Sequence, residues 1–133
     1  MIYLPDTNAC IKYINQKDSI ILQKFAIISR QDIVLCDIVK FELYYGAYKS
    51  SRKTHNLNVL KEFFSEFISL PFDERAIIKA AEVRAILATK GTPIGPYDLQ
   101  IAAIALVNDL ILVTHNTREF SRIEGLKIED WEN

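Results

Sequence analysis

Three carboxylates of the sequence stand where they could act together. Two of them lie where a strand ends or a helix begins, and the third lies on an apolar helix face. Asp6 follows the β-prone run 2–4, Glu42 lies inside a helical pattern, and Asp98 follows Pro96 at the start of an almost wholly apolar run. Proline suits the first position of a helix, and the free N–H groups and positive dipole of the first turn favour an anion there. A carboxylate at the mouth of a buried helix is an unusual choice for stability alone. It is well placed to hold a metal ion.

The chemistry of these residues favours a hard cation. Oxygen ligands without a cysteine set or paired histidines suit Mg²⁺ or Mn²⁺. Without a cation, Asp6, Glu42 and Asp98 in one place would raise one another's pKa values by repulsion. A divalent ion removes that repulsion, activates a water molecule and neutralises charge on a phosphodiester. The residue types therefore indicate metal-dependent hydrolysis of a phosphodiester.

Strands alternate with helices along the chain. The apolar runs predict strands at 2–4, 33–36, 68–70 and 110–113, with an edge strand at 126–128. Helices are predicted at 9–15, 19–29, 38–46, 58–67, 73–90 and 96–107, with a short turn or helix at 114–120. This order predicts an α/β fold, a three-layer α/β/α sandwich around a central parallel sheet. Sites on such sheets lie beyond the carboxyl ends of the strands, where Asp6, Asp37 and Asn116 stand.

Glu42 is predicted on the apolar face of its helix. It shares the i, i+3, i+4, i+7 spacing of one helix face with three apolar residues, Ile38, Phe41 and Tyr45. Asp37 stands at the N-cap position before that helix. A carboxylate among apolar side chains needs a partner, because burying an unpaired charge is costly. Glu42 is therefore expected to be a metal ligand or a paired core acid.

Composition restricts the class of protein. The chain has 133 residues, half of them hydrophobic, and a formal net charge of −1. These values predict one domain, 1–133, and offer no whole-molecule argument for nucleic-acid binding. Cys10 and Cys36 lack metal-site spacing and are expected to be buried, reduced thiols. Neither a signal peptide nor a membrane-spanning run is recognisable, so we expect a cytoplasmic protein with no membrane partner.

Several residues also have purely structural interpretations. Asp6 could simply cap the first helix, and Asp98 could simply complement a helix dipole. His115 could be a packing or hydrogen-bonding residue. The basic run 49–61 could be a solvated face or could follow an RNA backbone. An aromatic group could be core, dimer interface or a base-stacking surface; its members are Phe41, Tyr44, Tyr45 and Tyr48.

Five groups of residues, taken in chain order, resemble one family. They are Asp6-Thr7-Asn8, then Glu42-Leu43 with Tyr45-Gly46-Ala47, then Gly95-Pro96-Tyr97-Asp98 with Ile101-Ala102, then the run 114–120, and finally the run 125–131. Each group alone is weakly specific, but their order over essentially the whole chain is highly specific. On these residues the sequence resembles the VapC toxins, the PIN-domain ribonucleases of type II toxin–antitoxin systems.

The resemblance implies a PIN fold, RNA cleavage that depends on Mg²⁺ or Mn²⁺, and homodimers. It also implies a cognate VapB antitoxin that joins the toxin in a higher-order complex. The C-terminal segment of the antitoxin is expected to wrap the toxin and to place a basic side chain among the carboxylates, where it competes with the metal. The pattern from Asn116 to Trp131 resembles the subgroup that cuts initiator tRNA in its anticodon stem-loop.

The resemblance also implies roles for single residues. Asp6, Glu42 and Asp98 match the metal-binding acids of the family. Many PIN domains have a fourth acid where this chain has Asn116. Either Glu119, three residues on, supplies that catalytic carboxylate, or the second metal site is weak or absent.

Close neighbours of these acids are expected to support the site. Thr7 and Asn8 could hydrogen-bond the acids or a water on the metal, and Asn116 and Thr117 are expected to support the acids or to contact substrate.

Two residues depart from the family's pattern. Pro5 stands in place of the usual aliphatic residue and removes a backbone donor beside the site. Asp37 stands where serine is expected and adds negative charge. The alternative interpretation is a catalytically inactive PIN-like module that binds RNA or protein, and Pro5 and Asn116 favour it. A phosphatase or receiver-type pocket is less favoured, because no lysine can be placed beside the acids.

Overall fold

The structure is a computed structural model that describes residues 1–16 and 18–132. The strands are β1 (Tyr3–Pro5), β2 (Leu35–Cys36), β3 (Ser69–Leu70), β4 (Ile111–Val113) and β5 (Lys127–Glu129). The helices are α1 (Thr7–Ile14), α2 (Ser19–Ile27), α3 (Asp37–Lys49), α4 (Lys53–Ser65), α5 (Glu74–Thr89), α6 (Pro96–Val107) and α7 (Thr117–Phe120). A short 3₁₀ turn, Arg30–Asp32, precedes β2. The predicted alternation of strands and helices is confirmed.

The strands pair in parallel. β1 pairs with β4, β4 with β5, and β2 with β3. The backbone N–H of Val34 donates to the carbonyl of Tyr3 at 2.9 Å, and a parallel bridge joins Tyr3 to Ile33. These contacts connect the β2–β3 pair to β1, so the order across the sheet is β3-β2-β1-β4-β5. The predicted α/β fold with a central parallel sheet is confirmed, and it sets the carboxyl ends of β1 and β4 side by side.

Helix α6 lies deep in the core. Its consecutive residues from 101 to 105 are all buried, as the apolar run predicted. A helix that is apolar on every side must be covered on every side, and α6 packs against α5, α3 and β4. The first turn of α6, which carries Asp98, therefore projects from a rigid support.

Three helix starts differ from the prediction, and the largest difference is that of α4, which begins at Lys53 rather than at residue 58. α1 begins at Thr7 rather than at residue 9, because the side chain of Asp6 caps it. The predicted N-cap role of Asp37 is wrong. Cys36 occupies the N-cap position of α3, and Asp37 is already helical because β2 runs directly into the helix. The carboxylate of Asp37 instead accepts a hydrogen bond from Ser69 Oγ at 2.6 Å.

The predicted buried face of α3 is also wrong. The helix buries Val39, Leu43 and Ala47, whereas Phe41 and Tyr45 are 53% and 59% exposed. α3 carries two apolar stripes, and the one with the smaller side chains packs against α1, α4 and α6. Periodicity detects both stripes, but only close packing between neighbouring helices selects between them.

Other expectations can be compared directly. Cys10 and Cys36 are buried free thiols, as predicted. In the part of the chain that the structure describes, no helix combines the length and the apolar character needed to cross a membrane.

Candidate active site

Asp6 is held at the junction of β1 and α1. The backbone N–H of Ala9 donates to its Oδ1 at 2.8 Å. Only 6% of the residue is exposed, and this burial raises its pKa against the lowering effect of hydrogen bonds from Thr114 and Ala9. The negative charges of Glu132 and Glu42 raise the pKa further. Asp6 is thus both a helix cap and a buried carboxylate in a negative field.

Glu42 projects from α3 towards the first turn of α1. Thr7 Oγ1 donates to Glu42 Oε1 at 2.6 Å. Because Thr7 directly follows Asp6 in the chain, this bond ties the α3 acid to the segment that carries the β1 acid. Glu42 is half-buried although α3 is rotated from its predicted orientation, because it lies at the border between the buried and the exposed stripes.

Asp98 lies in the first turn of α6 and interacts electrostatically with the other acids. Its pKa is raised from 3.8 to about 6, first by burial and then by the negative charges of Asp6, Glu42 and Glu119. Coulombic coupling of this kind weakens with distance and is screened by water, so the coupled groups lie near one another. Three carboxylates from three other parts of the chain therefore lie near enough to Asp98 to raise its pKa.

Glu119 is oriented by Asn116 within the segment that follows β4. The side-chain Nδ2 of Asn116 donates to Glu119 Oε2 at 2.5 Å. The backbone N–H of Asn116 donates to Thr114 Oγ1 at 3.0 Å. Asn116 thus stands at the N-cap of α7 without capping it through its side chain, and that side chain is used to fix an acid instead.

Thr114 is the residue that sequence reasoning missed. It is 1% exposed, accepts the bond from Asn116 and donates its hydroxyl hydrogen bond to Asp6. One polar residue therefore links the β1 acid to the segment that carries Glu119. The available signal was its position, since Thr114 directly follows the apolar strand that neighbours β1.

Two of the predicted neighbours make no such contact. Asn8 and Thr117 are exposed in the first turns of α1 and α7. Among the described residues, neither side chain hydrogen-bonds to the four acids. His115 is exposed, and its Nδ1 lies 3.1 Å from Asp130 Oδ2 rather than against the acids. The structure thus places Thr7 and Asn116 against acids and leaves Asn8 and Thr117 facing solvent.

The donor set fits a hard divalent cation. The acids offer carboxylate oxygens, the ligand type that Mg²⁺ and Mn²⁺ prefer. Within residues 1–16 and 18–132, no lysine, arginine or histidine forms an ion pair with Asp6, Glu42, Asp98 or Glu119. The raised pKa values of Asp6 and Asp98 show that both pay a desolvation cost and face other negative charges. The described acids thus present oxygen ligands and a negative charge that no basic side chain offsets, as a binding site for a divalent cation requires.

Comparison with known proteins identifies the family. Residues 3–126 match the PIN domain. The tRNA(fMet)-specific endonuclease VapC of Salmonella typhimurium is 43% identical over 129 residues, which cover 97% of each chain. Ribonuclease VapC2 of Rickettsia felis is 35% identical over 133 residues, which cover 99% of each chain. The crystal structure of DNA-bound VapBC from Salmonella typhimurium aligns with a TM-score of 0.92 at 42% identity and covers 98% of each chain.

The chain belongs to the VapC ribonucleases of the PIN-domain family. This confirms the family that the sequence motifs indicated. In this VapC PIN domain the four acids all lie within the matched residues 3–126. They stand at the carboxyl end of β1, on α3, at the start of α6 and on α7. Residues 127–132 form β5 and the tail that follows it, which lies beside this site, since the charge of Glu132 reaches Asp6.

Proposed function

We propose that this VapC PIN domain is a metal-dependent endoribonuclease that hydrolyses phosphodiester bonds of RNA. We assign Asp6, Glu42 and Asp98 as the residues that hold Mg²⁺ or Mn²⁺, with Glu119 as a fourth catalytic carboxylate. When bound, the ion supplies an activated water and neutralises charge on the scissile phosphate. The observation that carries the proposal is the convergence of three other carboxylates on Asp98, whose pKa they raise.

Residues of the chain itself orient the acids before a substrate arrives. Thr7 holds Glu42 at 2.6 Å, and Asn116 holds Glu119 at 2.5 Å. Hydrogen-bonding neighbours of this kind fix the orientation of ligating carboxylates. Groups that are already oriented need no rearrangement when charge develops in the transition state.

We propose initiator tRNA, cut in its anticodon stem-loop, as the substrate. The support is the Salmonella relative, which is named for tRNA(fMet) and is 43% identical over 97% of the chain. Proteins reach single RNA nucleotides most readily in unpaired loops. An exposed basic run could follow the phosphate backbone; its members include Lys49, Arg52, Lys53 and Lys61. The chain would act as one domain, 1–133, in the cytoplasm, where its substrate is used.

We propose a VapB-type antitoxin as the partner, in a higher-order complex with a toxin homodimer. The support is the similarity to solved VapBC complexes. A groove of about 230 Å³ between α1, α3 and α4 reaches Glu42 and is lined by apolar residues such as Ile11, Leu43 and Leu60. An apolar antitoxin segment in this groove could deliver a basic side chain to the acids. The exposed aromatic face of α3 is the surface we expect a second copy to cover.

The test of the function is cleavage by purified chain freed of any antitoxin. Total bacterial RNA and initiator tRNA are incubated with it in Mg²⁺, in Mn²⁺ and in EDTA, beside Asp98→Asn. The matched control is Asp109→Asn, because Asp109 is an exposed carboxylate paired with Lys127 at 2.9 Å. We expect one discrete metal-dependent cut from the parent and the control, and none from Asp98→Asn. Cleavage by Asp98→Asn would contradict the metal assignment.

A catalytically inactive binding module is the second candidate. The observation that favours it is Asn116, an amide in the segment where many PIN domains place a carboxylate. This candidate predicts no cut in any metal, and no rise in melting temperature when Mg²⁺ or Mn²⁺ is added. If both results are obtained, Asn116→Asp is the next protein to make.

A further inference from the structure

A second group of ligand atoms lies in the C-terminal part of the chain. His115, in the loop after β4, faces Asp130 and Glu132, in the tail after β5, and we call these three residues the tail cluster. One ligand atom of each lies within 4.8 Å of the other two. We propose that the tail cluster binds a divalent transition-metal ion, Zn²⁺ in the first instance, independently of the four catalytic acids.

The two carboxylates of the tail cluster are already oriented towards the imidazole. The backbone N–H of Glu132 donates to Asp130 Oδ1 at 2.9 Å, and Asp130 Oδ2 lies 3.1 Å from His115 Nδ1. Lys12 pairs with Glu132 Oε1, and Glu132 Oε2 lies 4.0 Å from the same Nδ1. Each carboxylate thus has one oxygen fixed by the chain and the other turned to His115, as in carboxylates that ligate metals.

The tail is held firmly enough to present these groups together. Trp131, between the two acids, is 1% exposed and packs its ring against Tyr3 and Phe25, with centroid distances of 5.3 and 5.4 Å. Its Nε1 donates to Glu129 Oε1 at 2.9 Å. Because the buried indole fixes the backbone on both sides, the positions of Asp130 and Glu132 do not depend on the metal.

The spacing and the ligand types suit zinc. Zn–N and Zn–O bonds of about 2.0–2.2 Å in a tetrahedron separate neighbouring ligand atoms by roughly 3.3–3.5 Å. The separations of 3.1 and 4.0 Å from His115 Nδ1 require only small side-chain shifts. An imidazole with two carboxylates favours a transition metal, whereas Mg²⁺ prefers oxygen alone.

The site is accessible from one side. The side chain of His115 is 57% exposed, whereas those of Asp130 and Glu132 are 16% and 10% exposed. An ion can therefore enter from the imidazole side and meet partly shielded carboxylates. Lys12 opposes it, because the ammonium lies on Glu132 and repels a second cation. This opposition gives the proposal a specific test.

The test is a Zn²⁺ titration of the full chain. Binding is measured by calorimetry and by the NMR signals of the imidazole rings. The chain has only two histidines, and His55, exposed on α4, serves as an internal reference. The titration is made in the parent and in Asp98→Asn, so that zinc at the catalytic acids is distinguished from zinc at the tail cluster. His115→Ala is compared with His55→Ala in the Asp98→Asn background.

We expect Zn²⁺ to shift the His115 signals and not those of His55, equally in the parent and in Asp98→Asn. Removing an outer-sphere partner weakens metal binding about 10–100-fold. His115→Ala removes a direct ligand, so we expect it to weaken zinc binding at least about tenfold. His55→Ala is expected to leave zinc binding unchanged. Lys12→Met is expected to tighten zinc binding several-fold, because it removes a competing cation.

Three results would overturn the proposal. Zinc affinity that survives His115→Ala would exclude the imidazole as a ligand. Zinc-induced shifts that disappear in Asp98→Asn would place the ion at the catalytic acids. If Lys12→Met binds no zinc and has a lower melting temperature than the parent, the cluster only holds the tail in place through ion pairs.

Discussion

Two groups of carboxylates lie side by side in this PIN domain, and their electrostatic surroundings differ. The tail carboxylates Asp130 and Glu132 have basic partners, since His115 hydrogen-bonds the first and Lys12 pairs with the second. Among the described residues, the four acids of the candidate active site have no basic partner. Asp6, Glu42 and Glu119 accept hydrogen bonds from hydroxyl or amide groups instead, and Asp98 and Asp6 have raised pKa values.

The difference concerns what each group needs in order to fold without an added ion. Basic partners within the chain offset the charge of the tail carboxylates, so the tail can fold without an ion. No such partner offsets the charge of the four acids among the described residues, so their mutual repulsion destabilises the ion-free state. An unpaired, oriented group of acids is the usual signature of a site kept for function at the expense of stability.

Asp98→Asn is expected to produce the largest effects, with lower RNA cleavage and higher stability of the ion-free protein. RNA cleavage is expected to fall at least about 100-fold, because Asp98 is proposed as a direct metal ligand and such a ligand matters at least as much as its outer-sphere partners. The melting temperature in EDTA at pH 7.5 is expected to rise, because a destabilised charge is removed. Cleavage assays and thermal melts of the same preparation measure both. A melting temperature that falls would show that Asp98 stabilises the ion-free fold.

Thr7→Val is expected to reduce cleavage by about 10–100-fold, because Glu42 loses the hydroxyl that orients it. The loss is expected to be largest at low Mg²⁺ and to shrink as Mg²⁺ is raised. Thr89→Val is the control, since among the described residues the Thr89 hydroxyl bonds only to the carbonyl of Ala85 in its own helix. Equal losses at low and saturating Mg²⁺ would argue against a role in metal binding.

Asn116→Asp is expected to increase the electrostatic difference between the tail carboxylates and the four acids. It replaces the amide that donates to Glu119 by a fifth negative charge. The ion-free protein is expected to melt at a lower temperature, and Mn²⁺ is expected to stabilise it more than it stabilises the parent. Melting curves with and without Mn²⁺ measure both changes. A variant that melts like the parent in EDTA would show that the charge of Glu119 is not felt there.

The pH dependence of stability follows from Asp98. In the folded chain its pKa is about 6, against an ordinary value of 3.8, so the folded state holds more protons between these two values. Its contribution to the ion-free stability is therefore lost as pH rises from about 4 to about 6. Melting temperatures in EDTA across this window should show a smaller decline for Asp98→Asn than for the parent. Parallel curves would contradict the raised pKa.

Glu132→Gln is expected to produce the smallest effect. The Lys12 pair that it removes involves a side chain that is 40% exposed, and such pairs contribute about 0–1 kcal/mol. The free energy of unfolding, measured by denaturant titration, is expected to fall within that range while cleavage persists. A loss of cleavage comparable to that of Asp98→Asn would remove the distinction between the two groups of carboxylates.

Much of this molecule could be predicted from local patterns. The alternation of apolar runs predicted the parallel sheet, and the apolar run after Asp98 predicted a buried helix. The order of short motifs indicated the family, which the comparisons confirm. Helix starts were less predictable, because the side chain of Asp6 begins α1 two residues early and the direct β2–α3 junction denies Asp37 its N-cap role.

The sequence by itself predicted the ligand chemistry, and this stays a prediction: acids at element boundaries, with no metal-type cysteine pattern, indicate a hard-cation site. Only the tertiary structure decided which stripe of α3 is buried, that Thr114 joins Asp6 to Asn116, and that His115 faces the tail. Local periodicity records how residues repeat along one element. Partners such as Thr7 and Glu42, which are 35 residues apart, meet only through the packing of several elements.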